Sequence, residues 1–276
     1  MDKLKNHNSK TETPPPVSSW AEWFDRCAQH YQDPRMKMAY YKDGATGEPV
    51  PMETLQAIHE DVWKKLRATP QCTLLDVGSG IGLFVQAFQN RLRRIVGTDI
   101  ALTMIKDAAA INPRGIFLQC DVVSLPFSSK SFDRLLCYSV FHYLPDDAQA
   151  QKTIDEFRRV VKTDGLILIG DVLYPSEFFK KTSSHVIARS VSQRRSNLLK
   201  VEKIASQKAL AMTQKINKKP TSAWWPSCLN HRLKKKTFSP DFFIDYCQKN
   251  GLKCEILTQD IKGKDKDERY DVAIRF

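Results

Sequence analysis

Apolar positions change their spacing along the chain, and each change marks a different kind of element. Trp20, Phe24, Cys27 and Tyr31 recur on one helical face, behind Ser18 and Ser19, either of which can cap the helix. Residues 44–51, with two glycines and two prolines, break the chain into a loop. Met52, Leu55, Ile58, Val62 and Leu66 then predict a second amphipathic helix that Pro70 helps to end. From Thr73 onward short apolar runs alternate with helical stretches, the signature of βαβ units on a parallel sheet. The runs predict strands at 73–77, 94–98, 115–119, 132–138 and 166–171, joined by segments long enough for right-handed helical crossovers. Beyond Asp241 the pattern predicts a helix carrying Phe242, Phe243, Tyr246 and Cys247, a strand at 253–257, a charged turn at 262–268 and a strand at 270–275. The expected fold is α/β: a seven-stranded, mostly parallel sheet with helices on both faces.

Composition bounds this picture. At 276 residues, 42% hydrophobic and 27% charged, the chain has enough material for one generous core. No apolar run approaches the roughly 18 to 20 residues that would span a bilayer, and the polar start lacks the apolar core of a secretory signal, so a cytoplasmic location is expected. Residues 1–17, ending in three prolines and Val17, read as a disordered tail. Residues 18–70 then form an N-terminal helical cap, and 71–174 with 238–276 form the core. The seven cysteines contain no C-x-x-C pair, which predicts reduced thiols and no metal site. Net charge is +12, but 175–237 alone holds 15 Lys or Arg against Glu177 and Glu202, leaving the rest near neutrality. Ile187, Val191, Leu198, Val201 and Met212 fall on one stripe there, predicting a basic helical insertion between strands 5 and 6 that acts as a substrate lid.

Candidate chemistry concentrates after the first strand, in Asp76-Val77-Gly78-Ser79-Gly80-Ile81-Gly82. Glycines serve where a backbone turns at positive φ and comes close to a ligand. The helix that follows offers free N–H groups at its start. A dinucleotide turn would need its third glycine at 83, where this chain has Leu83. Asp99 ends the second apolar run, placed to accept ribose hydroxyls, and Asp121 ends the third.

With these residues in view, 73–172 resembles the core of class I S-adenosylmethionine-dependent methyltransferases, a Rossmann-like fold. The resemblance runs through Asp76 to Gly82, Asp99, Asp121 with Val122, Leu125-Pro126-Phe127, Ser131-Phe132-Asp133 and Arg159 through Leu166. It implies S-adenosyl-L-methionine as cofactor, held by Asp76, Gly78, Ser79, Gly80 and Gly82 at the first turn. Asp99 and Ile100 would serve the ribose, Asp121 and Val122 the adenine, and Tyr138 the sulfonium end. It also implies that the N-terminal helix and the segment after strand 5 cover the acceptor. Those segments carry Trp20, Trp23, Phe24, Tyr31, Tyr40 and Tyr41, and Phe178, Phe179, Trp224 and Trp225, residues equally suited to a core.

Because ligands of open α/β sheets bind at strand carboxyl ends, the catalytic candidates are His142, Tyr143 and Asp171. His142 can move a proton near neutrality. It can also simply satisfy a buried carbonyl, and Asp171 can equally cap a helix or pair with a cation of the insertion. The expected reaction is methyl transfer to a small-molecule O or N acceptor, anionic or borne by an acidic carrier protein, with the basic insertion supplying the anion contacts. RNA methylation ranks lower, since Tyr138-Ser139-Val140-Phe141 stands where enzymes acting on base amines carry Asn/Asp-Pro-Pro-Tyr, and there is no Pro-Cys nucleophile. A non-catalytic nucleotide-fold interaction protein is the reading from a different class.

Overall fold

A computed structural model describes residues 19–30, 37, 50–175, 235–259 and 269–276. The tail 1–17, nearly all of the basic insertion and the charged turn at 262–268 lie outside these residues, as do Tyr31, Tyr40, Tyr41, Phe178, Phe179, Trp224 and Trp225.

Helix α1 (Trp20–His30) starts where Ser19 Oγ accepts the Glu22 N–H at 3.2 Å, a side-chain cap. Helix α2 (Met52–Leu66) buries Leu55, Ile58, Val62 and Leu66, the stripe the sequence predicts, while Met52 is exposed. It stops at Arg67, which turns left-handed at φ 49°, so the break falls ahead of Pro70. The strands are β1 (Thr73–Val77), β2 (Arg94–Asp99), β3 (Ile116–Gln119), β4 (Phe132–Tyr138), β5 (Val161–Leu173), β6 (Lys253–Thr258) and β7 (Arg269–Arg275). Between them lie α3 (Leu83–Phe88), α4 (Leu102–Ile111), α5 (Asp147–Val160) and α6 (Pro240–Lys249). Strand β5 begins five residues before its apolar run because Val161 already pairs with Phe132 of β4.

The sheet order is β3-β2-β1-β4-β5-β7-β6, parallel from β3 to β5, with β7 antiparallel to both its neighbours. Successive residues of a strand face opposite sides, so each strand feeds two cores. Leu75, Leu135 and Ile167 meet Ile154 and Phe157 of α5 and Phe243 of α6. Leu74, Leu136 and Leu168 meet Ile58 and Val62 of α2, Phe84 and Phe88 of α3, and Met104 of α4. At about 25 cal/mol per Å² of apolar surface, two such layers supply most of the folding free energy.

One connection departs from the expected helical crossovers. Residues 120–131, between β3 and β4, contain turns and no helix; the stretch is short and Pro126 interrupts it. Ile116 and Leu118 of edge strand β3 therefore stay 41% and 38% exposed.

Strand order reverses at β1 and β4: the chain leaves β1 toward β2 on one side and β4 toward β5 on the other. That reversal opens a crevice at the carboxyl ends of β1 and β4. Asp133 fixes the opposite end, accepting the Thr73 N–H at 2.8 Å and the Thr73 hydroxyl at 2.7 Å, with Lys162 at 2.7 Å.

Candidate functional site

Strand β1 runs straight into the crevice. Gly78, Gly80 and Gly82 take φ of 71°, 54° and 76°, a region that L side chains rarely occupy. A Cβ on Gly78 would lie 2.2 Å from Val140 Cγ2, so only glycine lets this loop meet the turn after β4. Gly82 answers a different need, because a Cβ there would strike the Phe117 ring of β3 at 2.8 Å.

Asp99 closes the loop from the side. Its Oδ2 accepts the Gly80 N–H at 2.8 Å and its Oδ1 the Ala101 N–H at 2.9 Å. Burial raises this carboxyl above the ordinary aspartate range, while the N–H groups of Ala101 and Gly80 pull the other way. Asp76 lies deeper, 1% exposed, with Oδ2 making no hydrogen bond among the described residues. Burial, and then the charge of Asp99, push its pKa up to about 8, so it is mostly protonated at pH 7.

A cavity of about 360 Å³ occupies the crevice. Gly78, Gly80, Asp99, Ile100, Asp121 and Val122 line it, and Tyr138 closes the floor. Asp76, Ser79 and Gly82 stand behind this wall, shaping the loop without lining the cavity. Helix α1 supplies the facing wall with Trp20, Ala21 and Phe24; the Tyr143 ring lies 4.6 Å from Trp20 and 5.1 Å from Phe24. This helix is tied down by Asp25, whose Oδ1 accepts the Thr103 N–H at 2.9 Å and so caps the first turn of α4. Met104, Val140 and Gln149 also line the cavity, and nothing in the spacing of the chain had pointed to them.

The three catalytic candidates part company. Tyr143 lines the cavity with its ring, while its hydroxyl is buried and makes no hydrogen bond among the described residues. Burial raises that phenol well above its usual range, keeping it protonated. His142, with its ring centre 4.2 Å from that of Tyr143, is 0% exposed and off the cavity wall, its ring turned to the Asp171 backbone without a well-formed hydrogen bond among the described residues. Burial and then Lys235 hold it well below the usual histidine range, so it is neutral. Asp171 also lies off the wall, inside β5 rather than at a helix start, at φ 60° where the register to β7 shifts. It pairs with Arg269 Nη1 of β7 at 2.5 Å. Ser139, the mirror case at the end of β4 with φ 61°, does line the cavity, with its Oγ buried and unbonded among the described residues. Among the described residues no cluster of three His, Cys, Asp or Glu is arranged to hold a metal, and no helix is long and apolar enough to cross a membrane.

Comparison with known proteins matches residues 75–169 to a family described as a methyltransferase domain. An uncharacterized methyltransferase of Bacillus subtilis, YcgJ, is 31% identical over 109 residues, 38% of this chain and 42% of that protein. The sterol 4-C-methyltransferase strm-1 of Caenorhabditis elegans is 25% identical over 142 residues, 48% of this chain and 41% of that one. The chain thus spans less than half the length of these curated relatives. Among solved structures, the phosphoethanolamine N-methyltransferase 1 of Haemonchus contortus, in complex with phosphoethanolamine and S-adenosylhomocysteine, superposes with a TM-score of 0.57 at 13% identity. That match covers 92% of this chain and 48% of its own. A protein of Pyrococcus horikoshii superposes at 0.53 with 16% identity, covering 86% and 95%. Both share the fold.

Proposed function

We propose that the protein, whose residues 75–169 match a methyltransferase domain, is a class I S-adenosylmethionine-dependent methyltransferase that transfers the sulfonium methyl group to a small-molecule O or N acceptor, anionic or carried by an acidic protein. The observation that carries the methyl-transfer reading is the cavity itself, with a glycine loop and two strand-end carboxylates on one wall and aromatic rings on the other.

The residues present fit the cofactor. Asp99 and Asp121 offer acceptors for ribose hydroxyls and the adenine amine, and the Gly78 backbone leaves room for close approach. Asp76, buried with an unbonded oxygen, suits the ammonium of the methionine part, either directly or through a water. S-adenosylmethionine brings an already activated methyl group when bound. The task left to the chain is alignment and exclusion of water, and positioning of this kind supplies roughly 7 to 11 kcal/mol. Trp20, Phe24 and Tyr143 do the excluding. The protonated Tyr143 phenol and the Ser139 hydroxyl serve as orienting hydrogen-bonding groups rather than as bases.

An anionic acceptor is supported by where the basic insertion attaches. Its far end is pinned beside the cavity: the Lys236 N–H donates to the His142 carbonyl at 2.7 Å, and the Phe238 N–H to the Leu173 carbonyl at 3.0 Å. The ends of segment 175–237, with its excess of 13 positive charges, therefore meet next to Tyr143, which lines the cavity, and this supports the reading.

Calorimetry with S-adenosylhomocysteine tests the cofactor assignment, with binding expected and silence at millimolar concentration overturning it. Incubation with labelled cofactor and metabolite extract, with and without RNase, is then expected to yield an RNase-insensitive product heavier by one methylene. An RNase-sensitive product would assign the activity to RNA.

A further inference from the structure

Around Tyr143 polar groups collect without completing one another. His142 is fully buried with its ring turned to the Asp171 backbone and no well-formed hydrogen bond at either nitrogen among the described residues, and the Tyr143 hydroxyl beside it is unbonded among them. Buried polar atoms in folded proteins are nearly always paired, and each exception calls for an explanation. The charges facing this spot are equally unbalanced. Asp171 and Arg269 form an ion pair, and Lys235 Nζ lies 5.5 Å over the Tyr143 ring, facing both of them. Neighbouring Lys236 has a counter-ion in Asp147 at 3.0 Å, whereas Lys235 has no carboxylate within ion-pair distance among the described residues. Two cations thus share one carboxylate, next to a phenol that can donate and an imidazole whose protonation is resisted.

The surrounding acids do not make up the deficit. Asp271, another buried carboxylate, is used by Lys65 at 2.7 Å, by Gln259 Nε2 at 2.6 Å and by the Asp171 N–H at 2.8 Å. What would complete the group is a second negative charge that also accepts hydrogen bonds, a description that fits a phosphate or carboxylate better than water.

We infer that Lys235 and Arg269, with the Tyr143 hydroxyl and His142, form an oxyanion-binding subsite that holds the charged end of the acceptor while its nucleophile faces the cavity across the Tyr143 ring. The inference rests on the methyltransferase reading for the word acceptor, and it adds to that reading the two residues that select for an anion. Lys235 is the specificity-determining residue that is safe to change, since none of the ion pairs that tie the elements together among the described residues runs through it. Arg269 neutralises the buried Asp171 and is changed only to lysine.

The experiment is calorimetric titration of the full chain with inorganic phosphate at constant ionic strength, with and without saturating S-adenosylhomocysteine. Wild type is expected to bind phosphate. Lys235→Gln is expected to weaken that binding at least tenfold without changing the affinity for S-adenosylhomocysteine, and Arg269→Lys, which keeps the charge but loses the fork, several-fold. Lys64→Gln, on the exposed face of α2, is the control and is expected to bind as wild type. Absence of phosphate binding to wild type overturns the subsite, as does equal weakening in Lys235→Gln and Lys64→Gln, which would mean diffuse attraction. If S-adenosylhomocysteine binds and phosphate does not, the subsite falls and the methyl-transfer reading stands. If S-adenosylhomocysteine itself fails to bind, it is the enzyme reading that falls.

Discussion

Asp76 and Gly78 sit two residues apart and carry opposite kinds of cost. Asp76 has a folded pKa of about 8 against an ordinary value of 3.8, with burial as the main cause. A raised carboxyl contributes its full stability below the unfolded pKa and loses it as pH climbs toward the folded one, so at pH 7 the unliganded fold is weaker for having an ionisable group there. Asp76→Asn is expected to raise the stability of the ligand-free protein at pH 7 to 8 by ~1–3 kcal/mol, with the gain vanishing near pH 4. Denaturant titrations at the two pH values measure this, and a loss of stability at pH 8 would mean that the carboxylate is ionised and paired. The same substitution is expected to weaken S-adenosylhomocysteine binding, because an amide cannot ionise in answer to the ligand's ammonium, reached directly or through a water. At Gly78 the cost is steric: Gly78→Ala places a methyl 2.2 Å from Val140 Cγ2 at a φ of 71° and is expected to destabilise by ~2 kcal/mol or more. Val140→Ala in the same molecule relieves the clash but not the backbone strain. A double-mutant cycle should therefore return a coupling energy above ~0.5 kcal/mol, and strict additivity would refute the contact.

At the scale of elements, the wall formed by α1 depends on one polar tether. Asp25 reaches across to the Thr103 N–H and caps a helix that has no side-chain cap of its own, since Ala101 occupies the cap position. Asp25→Ala is expected to cost ~1 kcal/mol and to loosen α1 from α4. Faster hydrogen exchange at residues 20–30 and quicker release of S-adenosylhomocysteine would follow, while unchanged exchange would show that Trp23, Cys27 and Ala28 hold the helix unaided. No local signal marks Asp25 for this role, because its partner lies 78 positions away. The strands were legible for the opposite reason: their pattern is local, and six of the seven begin within one residue of where the apolar runs place them. β5 is the exception, since its first residues are recruited by pairing with β4 and not by their own hydrophobicity. The cofactor wall was readable in the same local way, from glycines and strand-end acids. The facing wall was readable only as a set of aromatic residues. Gln149 of α5, which lines the cavity, and Arg269 of β7, which pairs with Asp171 from 98 positions away, were not readable at all.

For the molecule as a whole, the response to acid follows from two neutral histidines. His59 is partly buried among aromatic rings, with Phe84 at 5.1 Å and Phe88 at 6.3 Å, and burial lowers its pKa to about 4 despite the opposing charge of Glu60. His142 is displaced the same way, by burial and by Lys235. A histidine with a depressed folded pKa contributes stability that is present above its unfolded value of about 6.5 and is lost as pH falls toward the folded value. The two histidines are therefore expected to withdraw stability steadily from pH 6.5 downward, with His59 accounting for ~1–2 kcal/mol by pH 5. Asp76 works in the other direction over the same range, so the observed slope is a difference and the wild-type curve alone does not identify its source. His59→Phe separates the two: it keeps a ring against Phe84 and Phe88 and cannot take up a proton. The variant is expected to show a shallower fall between pH 6.5 and 5 than wild type while matching it above pH 7, and parallel curves would remove His59 as the acid-sensitive group.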